Sequence, residues 1–221
     1  LSNNLAILSY LKDKVHKWRN ISIILTVTAS LLLIQLLFGS LSGGVETGPY
    51  IAQIEVEGTI FENDYRSKAL KEIKDNDSVK ALIVKINSPG GTIVGSEILY
   101  DELRQISKNK PIVVLMNSVA ASGGYMAALA SDYIIAHNGT LTGSIGVLMQ
   151  SAEIVDLAKK IGVNFRMYKS APLKAAPSPF ERDNPTVNRV IQASIADSAD
   201  FFFELVKSRR GSRLKKVNYS R

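Results

Sequence analysis

The chain opens with a basic stretch followed by a long apolar one. Ile21–Phe38 holds eighteen residues without a formal charge, broken in polarity only by Ser, Thr and one Gln. At a helical rise of about 1.5 Å per residue this run spans about 27 Å, close to the thickness of a bilayer core. Lys12, Lys14, Lys17 and Arg19 precede it, and the residues after it are nearly uncharged. The positive-inside rule therefore predicts a single-pass inner-membrane anchor with a cytoplasmic N-terminus and an extracytoplasmic, periplasmic remainder.

The apolar run has two alternative assignments. A cleaved signal peptide is the main one, although the run is longer than a usual signal-peptide core and shows no evident A-x-A cleavage site. A buried core helix is less favoured, because no second segment of similar hydrophobicity accompanies it. The predicted organisation is a cytoplasmic basic segment at 1–20, the anchor at 21–38, a linker at 39–50 and a single domain at 51–221.

The domain shows strand-like and helix-like patterns in alternation, which predicts an α/β fold. Continuous apolar runs such as ALIVKI and IVVLM are typical of buried strands in a parallel sheet. The predicted strands are Ile51–Val56, Ala81–Ile86, Ile112–Met116, Tyr133–Ala136 and Val163–Tyr168, and the predicted helices are Ser67–Lys74, Ser96–Ile106, an Ala-rich helix after Ser122, Ala152–Ile161 and Pro185–Lys207. A turn is expected at Ser88-Pro89-Gly90-Gly91.

The amino-acid composition limits the kinds of catalytic and binding site that the chain can form. The 221 residues carry a net charge of +7, but the basic residues gather at the two ends, and no basic stripe between them suggests a nucleic-acid surface. There is no cysteine, which excludes thiolate nucleophiles and Cys-based zinc sites. Of the two histidines, only His137 lies within the domain, so any His-dependent catalysis rests on it alone.

Ser122 is the candidate nucleophile. It follows a buried strand and begins a helix of small residues, where free backbone N–H groups and the helix dipole favour negative charge. The N–H of Gly123 and an N–H from the Gly90-Gly91 turn could together bind an oxyanion, because glycine allows close approach to a substrate carbonyl. An ordinary helix N-terminus gives the same local pattern, so Ser-Gly-Gly alone does not show that Ser122 is a nucleophile.

A serine hydroxyl needs a base, and lysine is the favoured candidate where histidine is scarce. Lys174 lies in an apolar, proline-rich stretch in which desolvation favours the neutral amine. Lys169 is a rival that directly follows a predicted strand and is expected to face solvent. His137 lies beside the turn signal Asn138-Gly139 and is expected at the surface.

Three sequence blocks in this order resemble the signal peptide peptidase A (SppA) family, of the short single-repeat type, within the crotonase/Clp-protease superfamily. They are Ile86-Asn87-Ser88-Pro89-Gly90-Gly91, Ala121-Ser122-Gly123-Gly124-Tyr125 and Leu141-Thr142-Gly143-Ser144-Ile145-Gly146-Val147. Each block is common alone, whereas the ordered set is not. The family's lysine then falls on Lys174, which Ser178-Pro179-Phe180 follows. The local context Ala-Pro-Leu before Lys174 departs from the family, which usually has Gly-rich or polar residues there.

The resemblance implies an α/β fold built as a spiral of repeated β-β-α units, preceded by one transmembrane helix. It implies a Ser122/Lys174 dyad that degrades cleaved signal peptides, with Ser144 orienting the lysine and Gly91 and Gly123 forming the oxyanion hole. It also implies no metal and no nucleotide or other cofactor, and a homo-oligomeric ring on the membrane in which serine and lysine meet between neighbouring protomers. Family members continue for several tens of residues beyond Arg221, which implies a C-terminally truncated domain.

Two functions from other classes compete with a peptidase. One is a non-catalytic membrane scaffold of the same fold, which the presence of Ser122, Lys174 and Ser144 argues against. The other is a crotonase-type acyl-CoA enzyme, which shares the paired oxyanion N–H groups. The predicted anchor and export oppose it, because CoA is cytoplasmic.

Overall fold

The computed structural model describes residues 2–38 and 48–211. The chain forms two compact units, Leu1–Thr47 and Gly48–Arg221. The first contains one helix, α1 (Ser2–Phe38), whose Lys14–Gln35 section is long and apolar enough to cross a membrane. The hydroxyls of Thr26 and Thr28 donate to carbonyl oxygens one turn earlier, at 2.8 and 2.9 Å, so both are satisfied without water. The predicted anchor lies inside this helix, which begins earlier than the apolar run.

The second unit is a mixed α/β domain, as the alternating pattern predicts. Its strands are β1 (Tyr50–Ile60), β2 (Val79–Gly91), β3 (Ile112–Ala121), β4 (Tyr133–Ala136) and β5 (Leu141–Gly143). Its helices are α2 (Asp64–Asp75), α3 (Ile93–Ser107), α4 (Gly123–Ala128), α5 (Val155–Lys160) and α6 (Pro185–Arg210). The strands build a parallel sheet, which fits the Clp-protease-like fold expected from the resemblance.

All strand pairings of the sheet are parallel. The order is β1-β2-β3-β4, and β5 pairs with the last residues of β3 beyond the end of β4. The carboxyl ends of β2, β3 and β5 therefore meet at one edge of the sheet, which is where open α/β sheets place their ligands.

The core forms because β2 and β3 bury alternate side chains on one face, against α3 and α4. Leu82, Val84 and Ile86 from β2 are fully buried there. Leu99, Leu103 and Ile106 of α3 follow the helical spacing of an apolar stripe and pack on the same cluster. A second cluster joins Met126 and Leu129 to Phe202 and Val206, and so fixes α6 against α4.

Three sequence-based expectations need correction. The segment Val163–Tyr168 is neither strand nor helix, because none of the described strands pairs with it. The helix expected at Ala152–Ile161 is limited to Val155–Lys160. The expected turn at Ser88–Gly91 belongs to β2, whose pairing with β3 shifts register between Ile86 and Ser88 to accommodate Pro89.

Candidate active site

Ser122 is the single residue between β3 and α4. It has φ 51° and ψ −119°, a strained conformation for a residue with a side chain. Its N–H donates to Gly143 O at 2.8 Å, which ties the turn to the end of β5. Its hydroxyl does not cap α4. A strained turn from strand to helix is the geometry that exposes a nucleophile at the end of a sheet.

Glycines around Ser122 allow the backbone to approach closely. Gly90 has φ +111°, and a Cβ there would lie 2.8 Å from the Cβ of Ser122. A Cβ on Gly123 would lie 2.0 Å from Ser96 Oγ of α3, and one on Gly124 would lie 2.9 Å from Ser88 O. The small residues of the Ser-Gly-Gly block are therefore required by packing between α4, α3 and β2.

The backbone nitrogen of Gly91 lies close to Gly123, the residue after Ser122. Thr92 N–H donates to Ile60 O of β1 at 2.9 Å. Since successive N–H groups of a strand point to opposite sides, the N–H of Gly91 points away from β1. Its nitrogen lies 3.3 Å from the position of a Cβ on Gly123. The N–H of Gly90 is not free to bind an oxyanion, because it donates to Ser88 Oγ at 3.1 Å.

Substituting Gly123→Ala should destabilise the domain by about 1–3 kcal/mol, the usual cost of overpacking, because the new methyl group overlaps Ser96 Oγ. The free energy of unfolding in urea measures this. Adding Ser96→Gly should recover part of the loss, since it removes the overlapping atoms. An unchanged midpoint for Gly123→Ala alone would contradict the packing described here.

A cleft of about 650 Å³ opens at Ser122. Its walls contain four of the five sequence-predicted site residues, Ser122, Ser144, Gly91 and Gly123. The remaining walls are mainly apolar, with Met126, Ile145, Val147 and Phe202 among them. The cleft therefore offers apolar contacts beside Ser122.

The structure does not bring Lys174 to this cleft. Lys174 is exposed, is not among the residues that line the cleft, and makes no hydrogen bond to Ser122 within the described residues. It lies in a turn closed by its own N–H, which donates to Ala171 O at 3.1 Å. A larger cavity of about 750 Å³ lies beside this loop and the start of α6, but contains none of Ser122, Ser144, Gly91 or Gly123.

The two alternative candidate bases, Lys169 and His137, both lie away from Ser122 in the described structure. Lys169 does not face solvent as expected; its side chain is only 13% exposed and forms an ion pair with Glu181. An ammonium held by a carboxylate is poorly suited to accept the serine proton. His137 is exposed in the β4–β5 turn, as expected, and lines a separate surface depression with Asn117 and Thr140.

Strained backbone conformations occur in two of the sequence blocks and beside Lys174. Within the described residues, the non-glycine residues with positive φ are Ser122 (51°), Ser144 (52°) and Ala175 (57°). Ala175 directly follows Lys174. Because such conformations cost about 1–3 kcal/mol and cluster at functional sites, the coincidence singles out both the serine cleft and the lysine loop.

Sequence comparison decides the family. The profile of peptidase family S49 matches residues 104–219, just over half of the chain. The chain belongs to peptidase family S49.

Several relatives of this S49 chain are proteases by name. A putative protease of Synechocystis is 38% identical over 170 residues, covering 76% of this chain and 61% of the relative. Protease 4 of Haemophilus influenzae is 37% identical over 177 residues, covering 76% and 28%. A putative signal peptide peptidase of Enterococcus faecium is 37% identical over 142 residues, covering 64% and 41%. The chain thus spans less than two thirds of the length of each of these relatives.

Some cleft residues of this S49 chain escape motif analysis. Ser198 and Phe202 of α6 line the cleft although they lie 76 and 80 positions beyond Ser122. Their spacing of four residues places both on one helix face, which is the only signal that the sequence offers. Arg209 fixes this helix by donating to Leu129 O at 2.8 Å and Ser131 O at 3.0 Å.

Proposed function

We propose that this chain is a membrane-anchored serine endopeptidase that degrades signal peptides or other membrane-derived peptides through a Ser122/Lys174 dyad. The observation that carries the proposal is the strained strand-to-helix turn at Ser122, which opens on an apolar cleft beside the N–H groups of Gly91 and Gly123. Membership of family S49 supports the peptidase reaction.

The chemistry follows from these positions. Ser122 Oγ attacks the scissile carbonyl carbon while its proton passes to the neutral amine of Lys174. The carbonyl oxygen becomes an oxyanion that accepts hydrogen bonds from Gly91 and Gly123, each worth about 3–4 kcal/mol of barrier. Collapse breaks the C–N bond, and the lysine ammonium protonates the leaving amine. Water, deprotonated by the same amine, then attacks the acyl-serine ester; the C–O bond breaks, and the lysine ammonium returns the proton to Ser122 Oγ.

Lys174 reaches Ser122 from a neighbouring protomer in this proposal. The support is that Lys174 is exposed on a loop and lies outside the cleft of its own chain, whereas Ser144 lines that cleft. The Ser144 hydroxyl then orients the incoming amine. Copies arranged head to tail would supply each cleft with a lysine and would close as a ring.

The membrane assignment rests on α1. We place residues 1–20 in the cytoplasm, 21–38 in the inner membrane, 39–50 as the linker and the peptidase domain from 51 onward in the periplasm, where it adopts a Clp-protease-like spiral. The uncharged run and the basic residues before it support this orientation. An anchor of this kind would keep the cleft near its substrates, since signal peptides remain in the membrane after cleavage.

The substrate preference follows from the walls of the cleft. Ile93 and Leu148 of the cleft wall are 39% and 77% exposed, so apolar side chains of a substrate would exchange water for apolar contact there. Leader peptides are rich in such residues. The name of the Enterococcus faecium relative, a putative signal peptide peptidase, supports the same substrate class.

A serine-reactive fluorophosphonate tests the proposal directly. We expect covalent labelling of the full chain at Ser122, identified by mass spectrometry, together with hydrolysis of a signal-peptide-like substrate. Ser118→Ala, on the strand that precedes Ser122 but lining a different depression, is the matched control and should label normally. A non-catalytic scaffold or an acyl-CoA enzyme should remain unlabelled at Ser122.

A further inference from the structure

The loop that carries Lys174 is held almost entirely at its base. Among the described residues, the hydrogen bonds of segment 171–178 stay within positions 171–181, as in the donation from Ala176 N–H to Leu173 O at 3.2 Å. Leu173 and Lys174 at the tip are exposed. The position of Lys174 therefore depends on the contacts made where the loop begins and ends.

The two ends of the loop are held by an ion pair, a ring contact and a backbone hydrogen bond. Lys169, just before the loop, pairs with Glu181, just after it, and this pair closes the loop into a ring of residues. Phe180 stacks on Phe165 with ring centroids 4.1 Å apart and an angle of 34°. Pro179 O accepts from Ile154 N–H at 2.8 Å, which joins the end of the loop to the segment before α5.

Arg182 adds a charged bridge to the same segment. Its guanidinium donates to Glu153 Oε1 and to Asp156 Oδ2, both at 2.8 Å, and makes a second hydrogen bond to Asp156. Glu153 also accepts from Asp183 N–H at 3.0 Å. A planar guanidinium that contacts two carboxylates fixes orientation as well as distance, which a lysine in its place could not do.

We infer that Arg182 and the Lys169–Glu181 pair are positioning residues, which fix the loop 170–180 so that Lys174 is presented in one place. This inference rests on the proposed function, in which Lys174 is the base. We call these three residues the clasp.

The Arg182 part of the clasp contributes little to overall stability, which makes it testable. The side chains of Arg182 and Asp156 are 55% and 66% exposed, and ion pairs in such surroundings add little to stability because water screens them. The hydrogen bond from Arg182 holds the pKa of the Asp156 carboxyl below its ordinary value. The pair is therefore intact from neutral to alkaline pH and is lost only as the pH falls through that lowered pKa, so an assay above neutrality leaves it undisturbed.

Two readouts on the full chain separate this inference from the proposed function. The first is cleavage at the exposed Lys174–Ala175 bond by a lysine-specific protease, followed by mass spectrometry. The second is kcat on a signal-peptide-like substrate. Glu181→Lys, Lys169→Glu and Arg182→Lys should each accelerate cleavage at Lys174 and lower kcat by about 10–100-fold, the usual cost of a displaced catalytic group, with KM nearly unchanged.

The double variant Lys169→Glu with Glu181→Lys should restore both readouts, because it rebuilds the ion pair with reversed charges. Glu204→Gln is the matched control: it breaks the exposed Lys207–Glu204 pair of α6 and should change neither readout. Unchanged cleavage in all three single variants would overturn the clasp. Faster cleavage with wild-type kcat would overturn its positioning role. A failed proposed function has a different signature, since Lys174→Ala would then retain full activity whatever the clasp variants do.

Discussion

Ser122→Ala is expected to lower kcat by about 10⁴-fold or more while the domain stays folded. The proposed reaction has no other nucleophile, and loss of a serine nucleophile elsewhere costs up to about 10⁶ in kcat. Removal of one hydroxyl beside Gly123 creates almost no cavity, so unfolding by urea should shift little. Hydrolysis of a signal-peptide-like substrate by purified full chain, with product counted by mass spectrometry, provides the measurement.

Ser118→Ala and Ser144→Ala calibrate this loss. Ser118 lies on β3 outside the cleft and should leave kcat unchanged. Ser144 lines the cleft and is proposed to orient the lysine, so its loss should be intermediate. Near-wild-type hydrolysis by Ser122→Ala, in protein free of contaminating protease, would remove Ser122 from the mechanism.

The central strands of the fold were predictable because burial imposes a plain pattern on them. Ala81–Ile86 and Ile112–Met116 are nearly continuous apolar runs. The first lies inside β2 and the second inside β3. Val163–Tyr168 alternates apolar and polar residues, which also fits a strand, but none of the described strands pairs with it. A strand needs a partner, and the pattern of one segment does not tell whether an edge is free. The prediction was wrong there for that reason.

The cleft residues were predictable for a geometric reason. Gly91, Ser122 and Ser144 each lie at or just beyond the carboxyl end of a parallel strand, so any parallel arrangement of β2, β3 and β5 brings them together. Lys174 has no such constraint, because it lies in a loop that no strand positions. Charge pairing is also invisible in sequence, which is why Lys169 was expected to face solvent although its side chain pairs with Glu181 and is only 13% exposed.

Lys174→Arg should lower kcat by about 10²–10⁴-fold, the usual contribution of a general base, although it keeps the charge and most of the length of the side chain. A guanidinium holds its proton and cannot accept that of Ser122. Lys174 is exposed, so the substitution should leave the free energy of unfolding unchanged. Lys169→Arg is the matched control, because an arginine there can still pair with Glu181 and should keep most activity. Full activity in Lys174→Arg would move the base to another residue.

Mixing two inactive variants then locates the dyad. If each cleft takes its lysine from a neighbour, random co-assembly of Ser122→Ala and Lys174→Ala protomers in equal amounts rebuilds about a quarter of the sites, because a heterologous interface joins the cleft of one copy to the loop of the next. We therefore expect roughly a quarter of wild-type kcat per protomer from the mixture and almost none from either variant alone. Affinity tags of two kinds verify that both variants share one assembly. A verified mixed assembly that stays inactive would place Ser122 and Lys174 of the same chain in one site, and the loop would then have to fold over its own cleft.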